Sequence, residues 1–145
     1  MKRSPLFLSL LMIGGIGLGA CAPQQKQAET PEKATSQAQG VFQTLTVAQS
    51  GPVLKTPGLV IIDLRTPSEF QGGHLNQAQM LDFYASDFQS RLRALDKKSP
   101  YLIYCQSGVR SAKTLAMMQE AGFEKVYELA GGYRSWAEAG QPVNQ

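Results

Sequence analysis

Two uninterrupted apolar runs, Leu59-Val60-Ile61-Ile62 and Tyr101-Leu102-Ile103-Tyr104, restrict this chain more than any other feature. A strand with one wet face alternates apolar and polar side chains, whereas a strand without that alternation is covered on both faces. A parallel sheet with helices packed above and below it meets that requirement. Residues 42–46, 59–64, 79–83, 101–105 and 126–129 are the expected strands. Between them Phe88, Leu92 and Leu95 recur at i, i+4 and i+7, one face of a helix. A second helix is expected from near Arg110, carrying Ala112, Leu115 and Met118, with Gly122 as a left-handed stop and Phe123 packing back on the last turn. Residues 51–58 hold two glycines and two prolines, and no regular element is expected there. The fold class is therefore α/β, with a central, mainly parallel five-stranded sheet flanked by helices on both faces, over residues 41–145.

The 145 residues leave room for one such domain, and at 43% hydrophobic they are too apolar for wholesale disorder. Two cysteines and one histidine exclude a multi-bridge disulfide scaffold, and a four-ligand zinc site would need carboxylates as well. No metal site is expected. The formal charge of +3 raises the question of nucleic acid, but Lys2 and Arg3 precede an apolar stretch over residues 6–19 in the manner of a secretory signal. As a helix that stretch reaches only about 21 Å, against roughly 30 Å of hydrocarbon core. Without residues 1–20, 12 of the 14 basic side chains face the same 11 acidic ones, the charge falls to +1, and no nucleic-acid partner is expected.

The stretch ends in Leu18-Gly19-Ala20-Cys21, which resembles the lipobox of bacterial lipoproteins. The resemblance implies removal of residues 1–20 and lipidation of Cys21, hence a membrane partner and a place in the cell envelope facing the periplasm. Ala22, in place of aspartate, points to the outer membrane if the organism is Gram-negative. Residues 21–40 contain no aromatic and no branched aliphatic side chain, so they cannot bury enough surface to offset their ordering entropy and read as a flexible tether.

Chemistry concentrates in Cys105-Gln106-Ser107-Gly108-Val109-Arg110-Ser111, at the carboxyl end of a covered strand and the start of a helix. Open parallel sheets bind ligands at that end. Successive backbone N–H groups and a helix N-terminus form an anion-binding nest, Gly108 permits the curl, and Arg110 adds positive charge. Such surroundings lower a cysteine pKa and make Cys105 a nucleophile. The plainer alternative is a buried cysteine serving as a small hydrophobe.

Around that loop the chain resembles the rhodanese family of sulfurtransferases through nearly the whole domain. The matching residues are Asp63-Leu64-Arg65, Glu69-Phe70, Gly73-His74-Leu75, the Cys105 loop with Arg110-Ser111, Gly122-Phe123, Gly131-Gly132 and Trp136, in that order. The resemblance implies a rhodanese-like fold and a Cys105 persulfide formed from a small anionic sulfane donor such as thiosulfate. The sulfur then passes to a thiol or cyanide-like acceptor, with no cofactor. It places the donor against Gln106, Ser107, Gly108, Val109 and Arg110, with Arg65 as a further contact. For Arg65 an ion pair with Asp63 or Glu69 is the favoured role, and for His74 a structural one; Trp136, Met117 and Met118 read as packing. Two positions depart from the family pattern. Gln106 stands where many thiosulfate-using members carry arginine, and Asn76-Gln77-Ala78 replaces Pro-Gly-Ala.

Rival readings are a non-catalytic module that binds anions or partners, and a Cys-dependent phosphatase. The phosphatase loop has five residues between Cys and Arg, where this chain has four. Gly108 occupies the second-cysteine position of a dithiol oxidoreductase and excludes that chemistry. No protein partner is identified. The lipidation reading predicts that Cys21→Ala abolishes metabolic fatty-acid labelling; equal labelling of both chains would exclude it.

Overall fold

The computed structural model of the protein describes residues 40–145. The expected address over residues 1–20, the acylation site Cys21 and all of the 21–40 tether except Gly40 lie outside the described residues. In chain order the elements are β1 (Val41–Leu45), α1 (Val47–Leu54), β2 (Val60–Asp63), α2 (Pro67–Gln71), β3 (His74–Leu75), β4 (Gln79–Met80) and α3 (Phe88–Ala94). They continue as β5 (Pro100–Tyr104), α4 (Val109–Glu120), β6 (Lys125–Leu129), α5 (Gly132–Glu138) and β7 (Val143–Asn144).

Five strands make one sheet in the order β1-β6-β5-β2-β4, and every neighbouring pair is parallel. The five-stranded parallel sheet expected from the apolar runs is therefore present, with β5 at its centre. Successive side chains on a strand point to opposite faces, and the sheet builds a core on each. Tyr101, Ile103 and Cys105 join Ile62, Phe88, Leu92, Met118 and Phe123, so α3 and α4 cover this face. Leu102 and Tyr104 join Ile61, Leu75, Leu129 and Trp136, with Val47 and Leu54 packed alongside, so α5 and α1 cover the other.

The end of α4 follows its sequence signals. Gly122 donates its N–H to the Gln119 carbonyl at 3.1 Å and Phe123 to that of Met118 at 3.1 Å, the paired bonds of a Schellman stop. Phe123 is buried against Tyr101, their rings edge to face.

Two local expectations are corrected, and one element is new. Residues 51–58 are not wholly irregular, because α1 extends to Leu54 and contains both Gly51 and Pro52. The Thr46 backbone N–H donates to the Gln49 side chain at 3.0 Å, and Val47 and Leu54 pack on the core. Tertiary burial of that face outweighs the poor helix propensity of glycine and proline. The strand expected over 79–83 stops at Met80. Beyond Leu81, the Asp82 carboxylate accepts the Tyr84 N–H at 2.9 Å and the Asp82 carbonyl accepts that of Ala85 at 3.2 Å, turning the chain off the sheet. A short antiparallel ribbon of β3 and β7 was not expected at all, since two-residue strands carry no periodic signal.

Asn76-Gln77-Ala78 keeps a tight turn. The Ala78 N–H donates to the Leu75 carbonyl at 3.1 Å, and Gln77, third residue of the turn, has φ +62°. Glycine suits that position because an L side chain there costs about 1–2 kcal/mol. Glycine also gives up more freedom on folding, by roughly 0.5–1 kcal/mol. Gln77→Gly is accordingly expected to stabilise the protein by about 0.5–1 kcal/mol, read as a raised midpoint in thermal or urea unfolding; a lowered midpoint would show that the turn is unstrained.

Candidate active site

Cys105 is the first residue beyond β5, at the carboxyl end of the central strand, and is fully buried. The chain then curls through Gln106 and Ser107 to Gly108, whose φ of +96° favours glycine and which caps the start of α4. The Gly108 N–H donates to Cys105 Sγ at 3.2 Å, and the Ser111 hydroxyl lies 3.7 Å from the same sulfur. The backbone amides of Ser107 and Ser111 also face it. Burial pushes the thiol up, but the Ser111 and Ser107 amides, with the Ser111 hydroxyl and the Gly108 amide, together outweigh it and hold the Cys105 thiol below its ordinary pKa.

The loop is clamped from behind by the turn into α5. The Tyr133 N–H donates to the Cys105 carbonyl at 2.7 Å and the Arg134 N–H to that of Gln106 at 3.1 Å. Gly132 lies so close that a Cβ there would collide with the Cys105 carbonyl. The Gly131-Gly132 pair thus serves the site through its backbone.

Arg110 makes a two-pronged ion pair with Glu69, Nη1 to Oε2 at 2.9 Å and Nη2 to Oε1 at 2.7 Å. Glu69 is oriented by Thr66, whose N–H and hydroxyl both donate to Oε2 at 2.9 Å. The Arg110 hydrogen bonds draw the Glu69 carboxyl down to about 2, against the opposing effect of burial and with help from Thr66; the same pairing raises Arg110. The contribution of this carboxylate to stability is therefore complete above its ordinary value of 4.5 and is lost as pH falls through about 2. Tyr84, 70% exposed, lies with its ring 5.6 Å from the Arg110 guanidinium, and Val109 turns outward at 63%.

The structure places Arg65 beneath the loop rather than at its mouth. It is 1% exposed; Nη2 donates to Asp63 Oδ2 at 2.7 Å and to the Gly73 carbonyl at 2.6 Å, and the guanidinium lies 4.0 Å from the centre of the Tyr133 ring. Its Nη1 reaches the Gln106 side-chain oxygen at 3.2 Å, which holds that side chain at the base of the loop. His74 stacks on Phe70, ring centres 3.8 Å apart. Trp136 and Met118 lie in the core, and Met117 packs against its margin.

Two features escaped sequence reasoning. Glu69 pairs with Arg110, 41 positions away, and not with Arg65; no local spacing carries that information. Glu128 is 4% exposed behind the loop and accepts the Ser111 hydroxyl at 2.8 Å. Its signal was a lone carboxylate within an otherwise covered strand.

A model of the rhodanese-like domain matches residues 52–139, more than half of the chain. YqhL of Bacillus subtilis (strain 168), an uncharacterized protein, is 33% identical over 76 residues, which is 52% of this chain and 59% of that one. The chain therefore spans less than two thirds of the length of that relative. GlpE of Pseudomonas fluorescens, named thiosulfate sulfurtransferase, is 33% identical over 89 residues, 61% of this chain and 79% of its own. Among solved structures, a rhodanese-related protein of Thermoplasma volcanium shares the fold with a TM-score of 0.62 at 24% identity, over 70% of this chain and 97% of that one.

The donor geometry predicts that Cys105 is alkylated by iodoacetamide at lower pH than free cysteine. Ser111→Ala removes one side-chain donor and should move the pH profile upward. An unchanged profile would mean that the backbone amides alone hold the thiolate.

Proposed function

The chain belongs to the rhodanese-like family, and on that premise we propose that it is a sulfurtransferase working through a Cys105 persulfide. The donor is a small sulfane-sulfur anion such as thiosulfate, and the acceptor is a thiol or a cyanide-like nucleophile. The domain works in the bacterial cell envelope, tethered by lipid on Cys21 and facing the periplasm. The observation that carries this reading is the buried Cys105 sulfur, met by the amides of Ser107, Gly108 and Ser111 at the carboxyl end of the central strand.

In the first half-reaction the Cys105 thiolate attacks the outer sulfur of the donor. A sulfur–sulfur bond forms to Sγ, the donor's own bond to that sulfur breaks, and the leaving group, sulfite from thiosulfate, departs with the electron pair. The amides around the sulfur are already oriented toward negative charge, so they receive the persulfide anion without reorganising. In the second half-reaction the acceptor attacks the outer sulfur and Cys105 leaves as thiolate. Cyanide yields thiocyanate; a thiolate yields a new persulfide. No change of metal or organic cofactor enters this balance.

Charge around the loop bears on donor choice. Arg110 is matched by Glu69 and Arg65 by Asp63, so a dianion meets amide dipoles rather than an unpaired guanidinium. Gln106 adds no charge. A monoanionic persulfide is thus expected to be a better donor than thiosulfate, seen as a higher kcat/KM.

The full-length chain treated with a sulfane donor is expected to gain one sulfur atom on Cys105 by mass spectrometry and to release thiocyanate with cyanide. Cys105→Ser should do neither. Equal behaviour of the two chains would replace the enzyme by a binding module, and Cys105-dependent hydrolysis of an aryl phosphate without sulfur transfer would replace it by a phosphatase.

A further inference from the structure

The side chains of Val109 and Tyr84 take no part in the half-reactions above, yet among the described residues they are the large apolar side chains left most open to water, at 63% and 70%. Both adjoin Arg110. Val109 precedes it as the first residue of α4, and the Tyr84 ring centre lies 5.6 Å from its guanidinium. Arg110 in turn faces the Cys105 sulfur, which acts on the guanidinium by charge and by hydrogen bonding. The two exposed side chains therefore stand next to the arginine that adjoins the reacting sulfur. Apolar side chains scattered singly over a surface need no explanation, but two beside one reactive group do.

Tyr84 is built in place. Its N–H is held by the Asp82 carboxylate at 2.9 Å, and its ring stands edge to face on Phe83 with centres 5.5 Å apart. Phe83 leans in turn on the buried Phe88, 5.0 Å away, so the ring is anchored through two aromatics to the core under α3. An aromatic surface fixed in advance loses little freedom when a second apolar group covers it. Val109, β-branched and facing water, adds little to the helix it begins. Two side chains cover about one ring, far short of the roughly 800 Å² a side that a stable protein–protein interface buries, so the rim fits a small molecule. Charge narrows the choice. A cationic body would meet the Arg110 guanidinium and an anionic one the Glu69 and Asp82 carboxylates, so the fit is to an uncharged body.

We propose that Tyr84 and Val109 are specificity-determining residues that hold the body of the sulfur acceptor, and that this acceptor is a small thiol carrying an uncharged aromatic or branched aliphatic group. Thiosulfate and cyanide have no such body to place there, so the rim serves transfer to a thiol. The acceptor thiolate attacks the outer sulfur of the Cys105 persulfide. A sulfur–sulfur bond to the acceptor forms, the bond to Sγ breaks with its electron pair left on Cys105, and the outer sulfur keeps whatever proton it holds. A thiolate and a persulfide become a persulfide and a thiolate, so no oxidant or reductant enters. The proposal rests on Cys105 as the sulfur carrier, but the rim is also read by a reaction that needs no sulfur transfer, so the two can fail separately.

The experiment compares two uncharged reagents with the same reacting carbon and leaving group, iodoacetanilide and iodoacetamide, on Cys105 of the full-length chain, read at the Cys105 peptide by mass spectrometry. Both meet the same thiolate, so their rate ratio cancels its availability and reports on the mouth alone. Relative to free cysteine, wild type is expected to favour the phenyl reagent about fivefold. Tyr84→Ser and Val109→Ser should each lower that preference, and Tyr84→Phe should keep it. A wild-type ratio no higher than that of free cysteine, or a preference that survives both serine variants, would overturn the proposal. In sulfur transfer, Tyr84→Ser should lower kcat/KM for phenylmethanethiol about fivefold more than for cyanide. A parallel fall for both acceptors would mark Tyr84 as structural and overturn its part in acceptor choice. If wild type prefers the phenyl reagent but transfers sulfur to no acceptor, the acceptor role falls with the sulfurtransferase reading; transfer without that preference removes the rim alone.

Discussion

At the carboxyl ends of β2 and β5 the Arg65 guanidinium lies out of water between the Asp63 carboxylate and the Tyr133 ring. Much else hangs on that pair. Tyr104, the last residue of β5, donates its hydroxyl to Asp63 and accepts the Leu75 N–H at 3.1 Å, so the two central strands and the β3 segment share one polar node. Arg65 also holds the Gly73 carbonyl and the Gln106 side chain. Removing one member of such a buried pair typically costs about 3–5 kcal/mol, because the other is left charged and unpaired. Burial alone would lower the Arg65 pKa; the Asp63 hydrogen bonds and charge more than offset it, and the guanidinium remains cationic.

The node explains how a loop can hold a buried sulfur anion without a free cation beneath it. Its base is tied by Gln106 to Arg65 and by backbone bonds to the α5 turn, while its far end runs into α4, where Arg110 is pinned to Glu69. Amides that are already fixed lose nothing when charge arrives, which is the physical basis of stabilisation by oriented dipoles. The same rigidity lets the opposing effects on Cys105 leave its thiol below the ordinary pKa although the residue is fully buried.

Much of this was legible in one dimension. The covered strands at Ile61-Ile62 and Leu102-Ile103 announced a parallel sheet, and Gly122-Phe123 announced the end of a helix, because each signal spans only a few neighbouring residues. Cys105, Gly108 and Ser111 were legible for the same reason, being parts of one turn. α1 was partly missed because the packing of Val47 and Leu54 overrides what Gly51 and Pro52 say locally. The positive φ of Gln77 was hidden behind a residue that does not advertise it.

By itself the sequence determined the sheet, the helix stop at Gly122-Phe123, and the turn that wraps Cys105 in backbone amides, since hydrophobic period and turn chemistry act over less than a dozen residues. Only the tertiary structure decided which charges meet. Asp63 and Arg65 are only two positions apart, but Glu69 went to Arg110 and Glu128 came to stand behind Ser111 across separations of 41 and 17 positions. Pairing of that kind depends on distances after folding, and electrostatic interaction in a dry interior rises steeply as groups approach and lose water. The turn around the thiol was therefore written in the chain, and the long-range partners that hold it in place were not.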